Sequence, residues 1–162
     1  MKLSDLTTLR IGGEIKNYVE ARSEEELTSA VRIADEKGED LLVVGGGSNL
    51  VASSAPFEGT VVRVIGEDSP TWIEASCEAS MTGEAQVGDR TPLAPACGGA
   101  TVEYFAGTSW DAAVAYAVDR EMIGIEALSG IPGTVGATPI QNVGAYGQEV
   151  SSVITRVRTW DR

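Results

Sequence analysis

Gly45, Gly46, Gly47, Ser48 and Asn49 run directly out of the apolar stretch Leu41 to Val44. Successive amides without side chains, followed by a short hydroxyl and a short carboxamide, can aim several N–H donors at one anion. The chemistry such a turn suits is the holding of a pyrophosphate. A second candidate runs from Ser129 to Gly147, with glycines at 130, 133, 136, 144 and 147 and prolines at 132 and 139 among mostly apolar residues. Glycine admits close approaches and proline stiffens turns, so this segment is expected as an ordered loop, not a helix, wrapped around something large and flat. Ile131, Val135, Ile140 and Val143 are expected to anchor it, while Gln141 and Asn142 offer hydrogen bonds. Together the two segments suggest one extended nucleotide cofactor bridging two halves of the chain.

Each segment has a plainer reading: a tight strand-to-loop turn for the first, a rigid protein-contact loop for the second. A P-loop is excluded, because Ser48, Asn49 and Leu50 stand where Lys and Ser or Thr are needed. The dinucleotide fingerprint also fails, with Leu50 at its third glycine position and no helix expected over 51–56. Glu24, Glu25 and Glu26 read as the solvated start of a capped helix and Glu67 with Asp68 as a turn. Trp110 reads as core, and Tyr104 and Phe105 as strand residues. Arg10, inside Thr7 to Gly13, is assigned by default to a structural ion pair.

These candidates must be positioned by regular elements. Asn17 to Ala21 alternates like a strand; Ser23 and Glu26 form a capping box; Leu27, Ala30, Val31 and Ala34 make one helical stripe that Gly38 ends. Leu41 to Val44 and Thr60 to Ile65 are expected as strands, giving a β-α-β-β unit over residues 1–66. Thr101 to Ala106 reads as a strand, after which Thr108 or Ser109 caps a helix carrying Trp110, Ala113, Val114, Ala117 and Val118, stopped by Gly124. Val153 to Trp160 alternates as a last strand of a second unit over 101–162. Between the units, 67–100 is expected as an irregular connection or insertion, with an edge strand around Trp72 and Ile73 and a long aperiodic stretch from Ser76 to Ala100.

Composition narrows the function classes. The 162 residues carry 24 acidic against 12 basic side chains, a formal net charge of −12, which opposes nucleic acid and anionic membrane surfaces as partners. An anionic cofactor remains compatible if local amides and a few cations meet it. Cys77 and Cys97 with no histidine leave neither a zinc site nor a disulfide framework. The polar start and the lack of long apolar runs lead to the expectation of a soluble, cytoplasmic protein.

Four segments carry a family resemblance: Thr7 to Gly13, Val43 to Leu50, Gly124 to Gly136, and Pro139 to Glu149. In this order and spacing the chain resembles the amino-terminal, flavin-binding part of the UDP-N-acetylenolpyruvoylglucosamine reductase family. The resemblance implies an α+β fold of the vanillyl-alcohol-oxidase type, two α/β subdomains with FAD between them. It implies that Gly45, Gly46, Gly47, Ser48 and Asn49 hold the pyrophosphate, that Ile131, Pro132, Gly136, Ala137 and Ile140 line the cofactor cleft, and that Gly144, Ala145 and Tyr146 continue its wall. It further implies NADPH as reductant and the enolpyruvyl group of a UDP-sugar as substrate, for the synthesis of a cell-wall peptidoglycan precursor. The family's catalytic arginine, serine and glutamate match no position here, so the expectation is a flavin-binding portion without the substrate-binding domain and with no catalytic residue of its own. An oxidase or dehydrogenase of the wider flavoprotein group and a flavin-free scaffold are the alternative readings.

Overall fold

The computed structural model describes residues 1–75 and 100–162. The stretch expected to be aperiodic, with both cysteines, lies almost wholly outside these residues. The amino-terminal unit is built as the pattern of apolar residues requires. Strands β1 (Ile15–Ala21), β2 (Leu41–Val44) and β3 (Phe57–Val64) form a parallel sheet in the order β1-β3-β2, with helix α1 (Glu24–Glu36) between the first two in sequence. The central strand carries Thr60, Val61 and Val62 in succession, and all three are buried. Successive side chains of a strand point to opposite faces, so a continuous β-branched run is what a strand covered on both sides needs. Val62 packs with Ala21 and Ala30 in one layer, and Val61 packs with Leu3, Leu6 and Val44 in the other.

Both ends of α1 are closed by local hydrogen bonds. Ser23 Oγ accepts from the Glu26 N–H at 3.2 Å, while the Glu26 carboxylate accepts from the Arg22 N–H at 2.7 Å. The expected capping box is therefore half made: Glu26 reaches one residue beyond Ser23. Gly38, at φ +63°, ends the helix, with its N–H on Asp35 O and the Glu39 N–H on Ala34 O, each at 3.0 Å.

The second unit has less regular structure and a core filled largely by loop residues. β4 (Trp72–Ala75) pairs antiparallel with β5 (Ala100–Glu103), which gives the expected edge strand its partner and ends the expected 101–106 strand three residues early. Helix α2 (Trp110–Asp119) buries Trp110, Ala113 and Val114 against Leu128, Val143 and Val150. The Trp110 indole N–H donates to Leu128 O at 3.0 Å, which pins the loop to the helix. Ser109 is the N-cap residue, yet neither it nor Thr108 makes the expected side-chain cap bond, and among the described residues Thr108 Oγ1 is buried without a partner. Gly124 does not stop this helix. The chain turns earlier, at Glu121 (φ +57°), with the Met122 N–H on Ala117 O at 2.9 Å and the Glu121 N–H on Val118 O at 3.0 Å. That is the bonding a glycine ordinarily serves.

The expected strand over Val153 to Trp160 is absent. Alternation makes a strand only beside a partner edge, and among the described residues no strand pairs with this segment. It lies on the surface instead: Arg156 pairs with Glu103 at 3.6 Å, Arg158 with Glu24, and Arg162 with Asp35, while Arg32 stands 5.8 Å from the Trp160 ring centre. Such exposed pairs are screened by solvent and salt, so they guide the segment more than they fix it.

Glycine in place of Glu121 removes the left-handed penalty and keeps both closing bonds, so E121G is expected to stabilise the chain by about 0.5–1 kcal/mol in urea unfolding. Unchanged or lower stability would contradict the assigned helix end. Asp111, at the start of α2, accepts from the Gly130 N–H at 2.7 Å and the Ser129 hydroxyl at 3.0 Å, and these bonds, the amide first, hold its carboxyl below the ordinary 3.8. A depressed carboxyl contributes above its unfolded pKa and is lost as pH falls through the folded value. The Gly130 amide shift in NMR should therefore titrate with a midpoint below 3.8 and lose that titration in D111N; a midpoint at or above 3.8 would contradict the contact.

Candidate cofactor site

Strand β2 delivers Gly45 to Asn49 at its carboxyl end, where the second glycine-bearing loop meets it. A β-carbon at Gly46 would lie 3.2 Å from the Gly133 Cα, and one at Gly45 would overlap the Thr134 hydroxyl. Ser48 Oγ donates to Pro132 O at 3.2 Å across 84 residues of sequence, and the Asn49 carboxamide donates to Gln141 Oε1 across 92. The two candidate segments therefore form one wall with the backbones in contact, an approach that only glycine at position 46 allows without displacement.

A second crossing supports the first. Gly66, just after β3, lies against Gly107 and Thr108 so closely that a β-carbon at either glycine would overlap the other strand's backbone. From that crossing the loop is hung on successive backbone bonds: the Trp110 N–H on Gly133 O at 3.1 Å, the Val135 N–H on Thr108 O at 2.9 Å, and the Gly136 N–H on Ala106 O at 2.9 Å. Among the described residues the fully enclosed Thr108 hydroxyl has no partner, a cost of about 1–3 kcal/mol carried where the halves meet.

The turn leaves donors for a ligand. Among the described residues the N–H groups of Gly46, Gly47, Ser48 and Asn49 find no protein acceptor, and Gly46 and Asn49 are exposed. Gly47 is held at φ +68° with its carbonyl accepting from the Thr8 N–H at 3.1 Å, and a β-carbon there would overlap the Leu6 carbonyl. Unpaired amides beside a left-handed residue make an anion-binding concavity, the donor set that a pyrophosphate would require. An open groove of about 790 Å³ between β1 and α1, lined by Lys16, Tyr18, Glu26, Ala30, Ile33 and Lys37 among others, shares no residue with these turns.

Of the loop positions, Ile131, Gly136 and Ala137 are half-buried, Pro132 is exposed beside Ser48, and Val143 is core. Ile140 is 84% exposed and anchors nothing; Thr138, buried and bonded to Val135 O at 2.8 Å, takes that part. β6 (Gly144–Ala145) and β7 (Gln148–Glu149) form a small hairpin with Tyr146 and Gly147 at its tip, both at positive φ, and Tyr146 stands 95% exposed. Asn142 is spent inside this hairpin, donating to Glu149 at 3.0 Å and accepting from the Ser151 N–H at 3.1 Å. Gly133, read only as one of the loop's glycines, and Thr134, not singled out, are the residues that touch the first turn. The glycine directly after Pro132 was their signal. Arg10, assigned by default to an ion pair, makes none among the described residues.

Gly38 and Gly47 allow a matched test, since both are left-handed but only Gly47 has backbone where a β-carbon would go. G38A is expected to cost about 1 kcal/mol and G47A more than about 2 kcal/mol in urea unfolding. Equal costs would show that the close approach to Leu6 carries no weight.

Known proteins similar to this chain bear on its family. The chain is 48% identical to a UDP-N-acetylenolpyruvoylglucosamine reductase of Cutibacterium acnes over 99% of its own length, and 42% identical to that of Thermobifida fusca. It spans only 37% and 39% of those two proteins. In three dimensions it resembles the crystal structure of UDP-N-acetylenolpyruvylglucosamine reductase from Thermus caldophilus, with a TM-score of 0.57 and 25% identity, over 93% of this chain and 44% of that one. A family profile described as an FAD binding domain matches residues 15–92 and 93–162, nearly the whole chain, and the chain belongs to that FAD-binding family.

Proposed function

We propose that this chain is the flavin-holding portion of a cytoplasmic, NADPH-dependent reductase that acts on the enolpyruvyl ether of a UDP-sugar in peptidoglycan synthesis. The observation that carries the proposal is the wall formed by Gly45 to Asn49 and Gly133 to Ala137, two turns that sit in separate units and meet through Gly46 and Gly133. The relatives at 42–48% identity bear that reductase name, and the chain's share of their length leaves the remainder of such an activity to residues outside it.

FAD, when bound, supplies the hydride-transfer chemistry of such a reaction. The chain's own part is binding and orientation. The N–H groups of Gly46, Gly47, Ser48 and Asn49 would meet the pyrophosphate, with Gly45 keeping the turn close to Thr134. Ile131, Pro132, Gly136, Ala137 and Ile140 would line the cleft, and Gly144, Ala145 and Tyr146 would continue it towards the exposed hairpin tip. The apolar members of this set exclude water from a flat ring system, while the backbone contacts of Gly133 and Gly136 with α2 and its approach hold the loop in place before the ligand arrives.

Purified chain mixed with FAD is expected to quench flavin fluorescence and gain thermal stability. At a free concentration one hundred times Kd the gain is about 2.7 kcal/mol, or roughly 5–10 °C for a domain of this size. No change in either the flavin spectrum or the melting temperature would overturn the proposal.

A further inference from the structure

Arg10 lies two residues after Thr8, whose N–H is bonded to Gly47 O, in a loop that imposes its conformation. Its φ is +57°, its N–H donates to Thr7 O at 3.1 Å, and the buried Thr7 hydroxyl closes the loop by accepting from the Ile11 N–H at 3.2 Å and donating to Ile11 O at 3.0 Å. The same loop is fastened to the turn: the Thr8 N–H donates to Gly47 O at 3.1 Å, and the Thr7 Cα lies 3.2 Å from where a Gly47 β-carbon would be. A long cationic side chain is thus planted one short turn away from the unpaired amides of Gly46 to Asn49.

Among the described residues the surrounding charges leave Arg10 without the carboxylate partner that several other arginines have. The chain carries 24 acidic residues, and Arg22, Arg156, Arg158 and Arg162 each pair with a carboxylate. Arg10 is exposed and has no hydrogen bond or ion pair from its side chain among the described residues. A cation with a purely structural role would be expected to take one of the many available carboxylates. A molecule with net charge −12 that binds a dinucleotide also needs local positive charge to offset the repulsion between the ligand and its surface.

We propose that Arg10 is a pyrophosphate-binding residue of the cofactor site, its guanidinium meeting the anion that the amides of Gly46 to Asn49 receive. The proposal rests on the FAD reading above and adds a side chain to it. Guanidinium suits this task because its planar fork bonds phosphate oxygens with charge assistance.

The test compares wild type, R10Q and R10G for FAD and riboflavin affinity by fluorescence titration, and for melting temperature without ligand. R10Q and R10G are expected to weaken FAD about tenfold, to flatten the dependence of FAD affinity on salt, and to leave riboflavin, which has no phosphate, unaffected. R10G, which suits a positive φ, is expected to melt at or above the wild-type temperature. FAD affinity within twofold of wild type in both variants overturns the proposal. So does an equal loss for riboflavin, or a lowered melting temperature in both variants, since either marks a structural role. Failure of wild type to bind FAD would reject the flavin assignment itself, a result visible before any variant is made.

Discussion

The structure depends on two places where backbone touches backbone because no β-carbon intervenes: Gly46 against Gly133, and Gly66 against Gly107. Each joins the amino-terminal parallel-sheet unit to the unit built around α2. A side chain at Gly46, Gly66 or Gly107 would meet the other unit's backbone and push the units apart by several tenths of an ångström or more. The Ser48 to Pro132 bond would then lengthen beyond hydrogen-bond range, and the wall would divide into two unconnected loops. The glycines therefore do more than permit turns; they set the distance between the units.

That constraint explains the division of labour between the halves. The first unit is a covered parallel sheet whose central strand is buried on both faces, a rigid support from which the amide turn projects. The second unit spends its helix on holding a loop: the Trp110 indole grips Leu128 O, Asp111 grips Gly130, and Val143 and Val150 fill the helix's apolar face. The loop's irregular backbone is consequently ordered without long strands or helices of its own. The tight crossing at Gly107 also encloses the Thr108 hydroxyl, which goes without the bond an N-cap neighbour would normally make.

Much of this was legible in the sequence. The stripe of α1, the β-branched run of β3 and the glycine turn after β2 all follow from local periodicity, and the structure has them within a few residues. The failures arise where the backbone departs from what local pattern alone dictates, some through contacts far apart along the chain and some through local geometry. Val153 to Trp160 alternates correctly but lacks a partner edge among the described residues. Ile140 is apolar yet 84% exposed, because Thr138 two residues earlier takes the buried place. Glu121 ends α2 in a conformation that pattern reading reserves for glycine. The meeting of Gly46 with Gly133 could not be read from either segment alone, since nothing local tells a loop which distant loop it will touch.

The central claim is that the two turns form one ligand site. The direct measurement is an FAD titration of isotopically labelled chain, following backbone amides on both turns by NMR. The account predicts that Gly46, Gly47, Ser48 and Asn49 shift together with Gly133, Gly136 and Ala137, all saturating along a single binding curve. A response confined to one turn, or two turns saturating at different FAD concentrations, would contradict it.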